Sequence, residues 1–274
     1  VTQAVSRLEP FDHIGTGKAE VERVASARRI HHDGKLLTRF SSGAIEPLMA
    51  QLPEGPVDRE IRTITFARGE RAIARLHYYA SHPQTFCCDG RVTADFVGAA
   101  RERMEVREGI PQIYFTGCAG NVTVGKYNDG TEAAREGLAA RMQAGMEASC
   151  AGTVYEPVRA FKWRTARLRL PAKPAPADTG PSPEARYRAA LGVAFASGSK
   201  RIGTSALKIG GAVILHLPGE PFLEYQRFAQ SLGKGRFIAV AGYGNITPGY
   251  LCTDFAYGEG GYEPSASYTG PGTE

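Results

Sequence analysis

Pro111-Gln112-Ile113-Tyr114-Phe115-Thr116-Gly117-Cys118-Ala119-Gly120-Asn121-Val122-Thr123 reads as a short buried strand running straight into a glycine-rich turn. The turn continues to Gly130 and offers free backbone N–H groups and one hydroxyl, at Thr123. Such a stretch can cradle an anion or an oxyanion. It carries neither the Gly-Lys-Ser/Thr of a phosphate loop nor the dinucleotide fingerprint, which argues against a nucleotide site. The same arrangement recurs three times. Ser81-His82-Pro83 follows the apolar run Ile73–Ala80, Leu217-Pro218-Gly219-Glu220 ends the run Ala212–Leu217, and a tail from Gly242 follows Phe237–Gly242. Polar groups just beyond strand ends are where α/β enzymes usually keep their chemistry.

Outward from these points the pattern is α/β with hairpins, which makes the sheet mixed. Residues 11–24 alternate weakly and predict a strand. Residues 25–58 read as irregular, punctuated by Asp33-Gly34 and Pro53-Glu54-Gly55-Pro56. Ile61–Phe66 and Ala72–Tyr79 flank Arg68-Gly69-Glu70 as a hairpin, and Ser205–Ile209 and Ala212–Leu217 flank Gly210-Gly211 as another. Ala94–Glu108, Thr131–Cys150, Pro183–Ala196 and Pro221–Leu232 predict helices, and Val154–Leu170 one or two strands. Lys173–Pro183, with four prolines, predicts a loop, and the tail beyond Gly242 reads as irregular. Mixed β-sheet layers flanked by helices, in one domain over 1–274, is the expected architecture.

With 33 basic and 28 acidic residues the net charge is +5, and the basic residues read as dispersed rather than as the dense stripe of a nucleic-acid binder. No nucleic-acid partner is expected. No apolar run approaches the roughly 18 residues of a membrane span. Five cysteines, none in a CxxC spacing, argue against a disulfide framework or zinc finger and suggest small buried side chains. The opening Val1–Leu8 reads as the last turns of an amphipathic helix and suggests a chain that begins inside its native protein.

Individually, each polar residue has a plain alternative. His82, held extended by Pro83, is placed to bind a metal or move a proton, or simply to bond a loop carbonyl. Asp95 could orient His82 or cap a helix. Glu220, read as opening a helix, would be kept ionised by the helix dipole. Tyr243, Tyr250, Tyr257, Tyr262 and Tyr268 among glycines suit a pocket wall or loop packing.

Taken together, His82-Pro83 with Asp95 downstream, Gly120-Asn121-Val122-Thr123, Pro218-Gly219-Glu220, and Gly249-Tyr250…Tyr262-Glu263-Pro264-Ser265-Ala266-Ser267 resemble the catalytic domain of the neutral/alkaline, non-lysosomal ceramidases. The resemblance implies a ceramidase-like α/β domain with one zinc, held by two His, one Glu and one Tyr. His82, Glu220 and Tyr250 match three of these; the other His lies in a His-x-His-Ser segment upstream of Val1. It also implies Tyr262 as the catalytic tyrosine on the substrate carbonyl, Arg28 as a loosely matched site residue and Thr123 as the turn's catalytic hydroxyl. Gly120 and Asn121 would face the oxyanion, and Asp95 would stand behind His82. Where the family has Gly-Asp-x-Ser this chain has Gly120-Asn121-Val122-Thr123, which points to a relative of unknown specificity. The expected activity is zinc-dependent hydrolysis of an amide in a small or lipid-like N-acyl substrate. A non-catalytic binding relative and an ester hydrolase are the alternatives. A secreted or periplasmic setting is what the family suggests.

Overall fold

In the computed structural model, residues 5–6, 8–87, 89–171, 173, 186, 189–190, 202–244 and 248–274 are described. The helix expected at Val1–Leu8, the Lys173–Pro183 loop and the Pro183–Ala196 helix fall largely or wholly outside them.

Five strands form the first sheet, in the order β7-β6-β5-β1-β9: β1 (His13–Glu20), β5 (Glu60–Arg68), β6 (Arg71–Tyr79), β7 (Gln112–Thr116) and β9 (Val154–Pro157). The β5–β6 hairpin turns at Gly69-Glu70, where a positive φ of 57° suits glycine. β7 returns parallel to β6. A second sheet has the order β10-β11-β12-β14: β10 (Phe161–Leu168), β11 (Ile202–Ile209), β12 (Ala212–Pro218) and β14 (Phe237–Gly244), with β14 parallel to β12.

Alternation along the strands builds two cores. Ile14, Ile64 and Tyr78 face the second sheet and pack with Ile209, Ala212, Ile214, Ala239 and Ala241. Ile61 and Tyr79 face the other way, toward Phe96 and Met104 of helix α2 (Asp95–Glu108) and Leu138, Met142 and Met146 of α3 (Glu132–Ala151). These three α3 residues recur at the helical spacing of one face. Thr131 caps α3, its Oγ1 accepting from the Ala134 N–H at 3.1 Å.

Four sequence expectations change. Residues 25–58 contain β2 (Ser26–Ala27), a hairpin of β3 (Arg29–His32) and β4 (Lys35–Thr38), a 3-10 turn and the short helix α1 (Pro47–Gln51). Asp33 and Gly34, with φ of 48° and 71°, make the hairpin turn that Asp-Gly favours. The tail is partly ordered, with β15 (Tyr250–Leu251), α5 (Asp254–Glu259) and α6 (Tyr262–Ala266). Glu220 does not open a helix: it lies in β13 (Glu220–Pro221), and α4 (Leu223–Leu232) starts three residues later. Pro221 biases Glu220 to extended backbone, and β13 pairs with β15, Glu220 opposite Tyr250. Finally, Cys87 is exposed rather than buried.

The parallel pair in each of the two larger sheets, β6/β7 and β12/β14, brings its carboxyl ends to the same place. Gly117 donates to the Tyr79 carbonyl at 2.9 Å. A Cβ on Gly242 would meet the Gly117 carbonyl oxygen at 2.8 Å, so glycine lets the sheets close at this point.

Candidate active site

At that junction His82 follows β6, the 117–123 turn leaves β7, Glu220 follows β12 and Tyr243 stands in the last residues of β14. The turn is tied to its neighbours by backbone bonds. Gly120 donates to the Pro221 carbonyl at 2.9 Å, and Arg28 donates its backbone N–H to the Asn121 carbonyl at 2.9 Å. The latter contact extends the pairing of β2 with β8 (Val122–Thr123), which sets Ser26 opposite Thr123.

His82, 5% exposed, is held at both ring nitrogens. Nδ1 lies 2.8 Å from the Val122 carbonyl oxygen and 3.2 Å from Arg28 Nη2; Nε2 lies 3.0 Å from Glu220 Oε2 and 3.0 Å from Tyr243 Oη. At Nδ1 the Val122 carbonyl can only accept and the Arg28 guanidinium can only donate; the shorter contact, to Val122, favours a proton on Nδ1. That leaves the Nε2 lone pair facing a carboxylate oxygen. Two acceptors then confront each other, a mismatch that a positively charged species between them removes. A doubly protonated ring would also satisfy both oxygens, but would press a second positive charge against Arg28.

Arg28, 4% exposed, is the hub behind this pair. Its Nη1 donates to the Gly120 carbonyl at 3.1 Å and to Tyr250 Oη at 3.0 Å. The guanidinium lies 5.7 Å from the ring centroids of both Tyr250 and Tyr262. Burial opposes its charge, but Tyr250 and Glu263 outweigh burial and hold its pKa above the ordinary value. Burial first, and the Glu220 charge with it, pushes the Tyr243 phenol well up; burial does the same to Tyr250, against Arg28. Both phenols are therefore protonated here.

The other expected site residues take varied places. Tyr262, 42% exposed, stands at the rim, its ring edge-on to Tyr250 at 5.7 Å. Thr123 is buried, its Oγ1 accepting from the Gly125 N–H at 3.2 Å. Asn121 addresses the start of α4: its Oδ1 accepts from the Leu223 N–H at 2.8 Å and its amide donates to Glu224 at 3.0 Å. Asp95 has a positive φ of 58° and grips Thr85 through its N–H at 2.9 Å and hydroxyl at 2.7 Å. It thus anchors the chain three residues past His82, while the imidazole itself is oriented by Val122.

Three participants were not singled out from sequence. Tyr243 appears there only among the tail tyrosines, although the structure places it in the last residues of β14. Glu263 is fully buried, accepts from Arg29 Nη1 at 3.1 Å and sits 3.7 Å from Arg28. The Val122 carbonyl has no sequence signature at all.

Zinc fits part of this set. Among the described residues no group of three or more His, Cys, Asp and Glu side chains gathers for a metal. The convergent donors are the Nε2 lone pair of His82 and Glu220 Oε2, with phenol oxygens beside them, a nitrogen–oxygen set that zinc accepts.

No family model matches the sequence, and no curated protein does. The fold does match solved structures. One is the neutral ceramidase from Pseudomonas aeruginosa, with a TM-score of 0.68 and 16% identity over 99% of this chain. Another is a ceramidase complexed with C2, with a TM-score of 0.69 and 16% identity over 100% of this chain. The chain spans about half of each, 51% and 53%. At that identity the likeness shows a shared fold.

Proposed function

We propose that this chain carries the core of a zinc-dependent hydrolase that cleaves an amide bond in a lipid-like N-acyl substrate. The observation that carries the reading is His82 Nε2 lying 3.0 Å from Glu220 Oε2 across the joined strand ends. The ceramidase-like fold supports it. His82 and Glu220 would hold the ion, with Tyr250 as the phenol that the resemblance adds. When bound, zinc lowers the pKa of a coordinated water and polarises the scissile carbonyl.

The chain's own residues do the rest. The Val122 carbonyl orients the His82 ring with Nε2 toward Glu220. Arg28 places its charge between Tyr250 and Tyr262 behind the reacting centre. Tyr262, at the open rim, is positioned to donate to a substrate carbonyl as negative charge develops on its oxygen. The Gly120 N–H is spent on Pro221 and the Asn121 amide on Glu224 and Leu223, so oxyanion support falls to Tyr262. Thr123 shapes the turn from beneath. Among the described residues no helix is long and apolar enough to cross a membrane.

The test is zinc content by elemental analysis together with release of fatty acid from a panel of N-acyl amides and matched esters. One zinc per chain with amide hydrolysis, both lost in His82→Ala and Glu220→Ala, is expected. Full hydrolysis in either variant overturns the assignment. Ester cleavage alone would move the reading to an esterase. A folded protein taking up no zinc would move it to a binding domain.

A further inference from the structure

Tyr243 is the third side chain to converge on the His82–Glu220 pair, and its backbone is unusual. Its φ is 62°, the left-handed region, in a bulky residue that is neither Gly nor Asn. Such a conformation is costly for a bulky side chain and persists where surrounding structure imposes it. Glycines stand on either side, at 242 and 244, yet the strained position carries a tyrosine.

What imposes the strain is a clamp between the two strand exits. The Tyr243 N–H donates to the Gly219 carbonyl at 2.7 Å, and the Gly219 N–H donates to the Gly244 carbonyl at 3.1 Å. Gly219 is the residue before Glu220. The clamp therefore fixes the Tyr243 phenol and the Glu220 carboxylate in one rigid unit, facing the imidazole from β6. The phenol ring stands edge-on to His82, with centroids 5.7 Å apart and planes at 88°. Its Oη is as close to Nε2 as Glu220 Oε2 is, each at 3.0 Å. Two donors on one tetrahedral zinc, at the usual bond lengths, lie roughly 3.3 Å apart. The observed separations need little adjustment to meet that. Tyr250, by contrast, has its hydroxyl turned to Arg28.

We propose that Tyr243 is a further protein donor to the divalent cation held by His82 and Glu220. Before the ion binds, its hydroxyl donates to Nε2 and holds the imidazole in place. A bound cation reverses the local electrostatics and takes the phenol oxygen as a ligand. The strained backbone is what aims that oxygen inward. This inference rests on the zinc-hydrolase reading and deepens it.

The experiment measures zinc affinity of the metal-free protein by competition with a chromophoric chelator, for wild type, His82→Ala and Tyr243→Phe. It adds an anomalous difference map from zinc-loaded wild-type crystals. Tyr243→Phe, with unchanged thermal unfolding of the metal-free form, should weaken zinc binding by about tenfold or more. The ion should lie at bonding distance from Tyr243 Oη, about 2 Å. Zinc binding within about twofold of wild type, or an ion farther than about 3 Å from Oη, overturns the proposal. If Tyr243→Phe does not fold, the wild-type map alone decides. Wild-type protein that takes up no zinc sinks the hydrolase reading and this inference together. Zinc uptake lost in His82→Ala but kept in Tyr243→Phe sinks this inference alone.

Discussion

Neutralising Glu263 should cost more than its distance from the reacting groups suggests. Its carboxylate is fully buried, with Oε2 accepting from Arg29 Nη1 at 3.1 Å and Oε1 lying 3.7 Å from Arg28 Nη1. Oε1 has no hydrogen-bond partner, so charge rather than hydrogen bonding is its link to Arg28. At an effective dielectric constant near 20, each pair is worth roughly 4–5 kcal/mol in gross Coulomb energy. Desolvation of the ions offsets much of that in the intact cluster. Removing one partner is different, because the survivors stay buried without compensation, at about 3–5 kcal/mol. Glu263→Gln keeps the shape and one acceptor, but turns an amide N–H group toward one of two guanidinium groups that are themselves donors only. A loss of about 3–5 kcal/mol is therefore expected, read from the guanidinium chloride midpoint at constant slope. Glu259→Gln is the control. Glu259 also binds Arg29, at 3.0 Å, and His31, at 2.8 Å, but its side chain is 17% exposed and water can replace the lost charge. It should lose about 1 kcal/mol. Equal small losses in both variants would refute the idea that Glu263 is the buried counter-charge of Arg28.

Two further outcomes follow from other contacts. His77 is enclosed between Thr63 Oγ1 at 2.9 Å and Gln112 Oε1 at 2.7 Å, and burial holds its pKa down to about 4 against an ordinary 6.5. The unfolded chain thus takes up a proton near 6.5 that the folded chain refuses until about pH 4, so stability is full above that window and falls by about 3 kcal/mol across it; denaturation midpoints between pH 7 and 4 should show this fall, and His77→Gln should flatten it. Gly120→Ala would set a Cβ 2.5 Å from the Glu220 carbonyl oxygen and 3.0 Å from Phe222 Cδ1, whereas a Cβ on Gly203 meets nothing within 4 Å. The first should cost about 1–3 kcal/mol in denaturation and weaken zinc binding by pushing Glu220 away from His82, while Gly203→Ala should do neither.

The fold was legible where a local pattern repeats a physical constraint. Both hairpins, the strand entering Gly117 and the helix capped by Thr131 follow from alternation, turn residues and an apolar face at helical spacing. His82 and Glu220 were legible because each ends an apolar run next to a proline. Legibility stopped where position depends on a distant partner. Glu220 reads locally as the first turn of a helix, and only its pairing with Tyr250 makes it a strand residue. Asp95 reads as a support for His82, but that role belongs to a backbone carbonyl, at Val122, which any residue type would supply. Residues 25–58 read as irregular because strands of two to four residues are too short to show a period. Their order comes from pairing with residues 122–123 and from Arg39, fully buried, whose guanidinium donates to the carbonyls of Ala27, Leu52 and Pro53.

The site shows why several weak signals in order can carry more than one strong motif. Each of its segments enters from a different strand, and none makes chemistry alone. The parallel pairs of the two larger sheets do the joining. β7 beside β6 sets the 117–123 turn against His82, and β14 beside β12 sets Tyr243 against Glu220. Because parallel neighbours point their carboxyl ends the same way, the four exits must meet once the sheets pack face to face. Glycine at 117 and 242 allows that closure, and it is the sheet packing, not any single loop, that brings the Nε2 lone pair to the carboxylate. Changes that separate the two sheets should therefore remove zinc binding before they unfold either sheet.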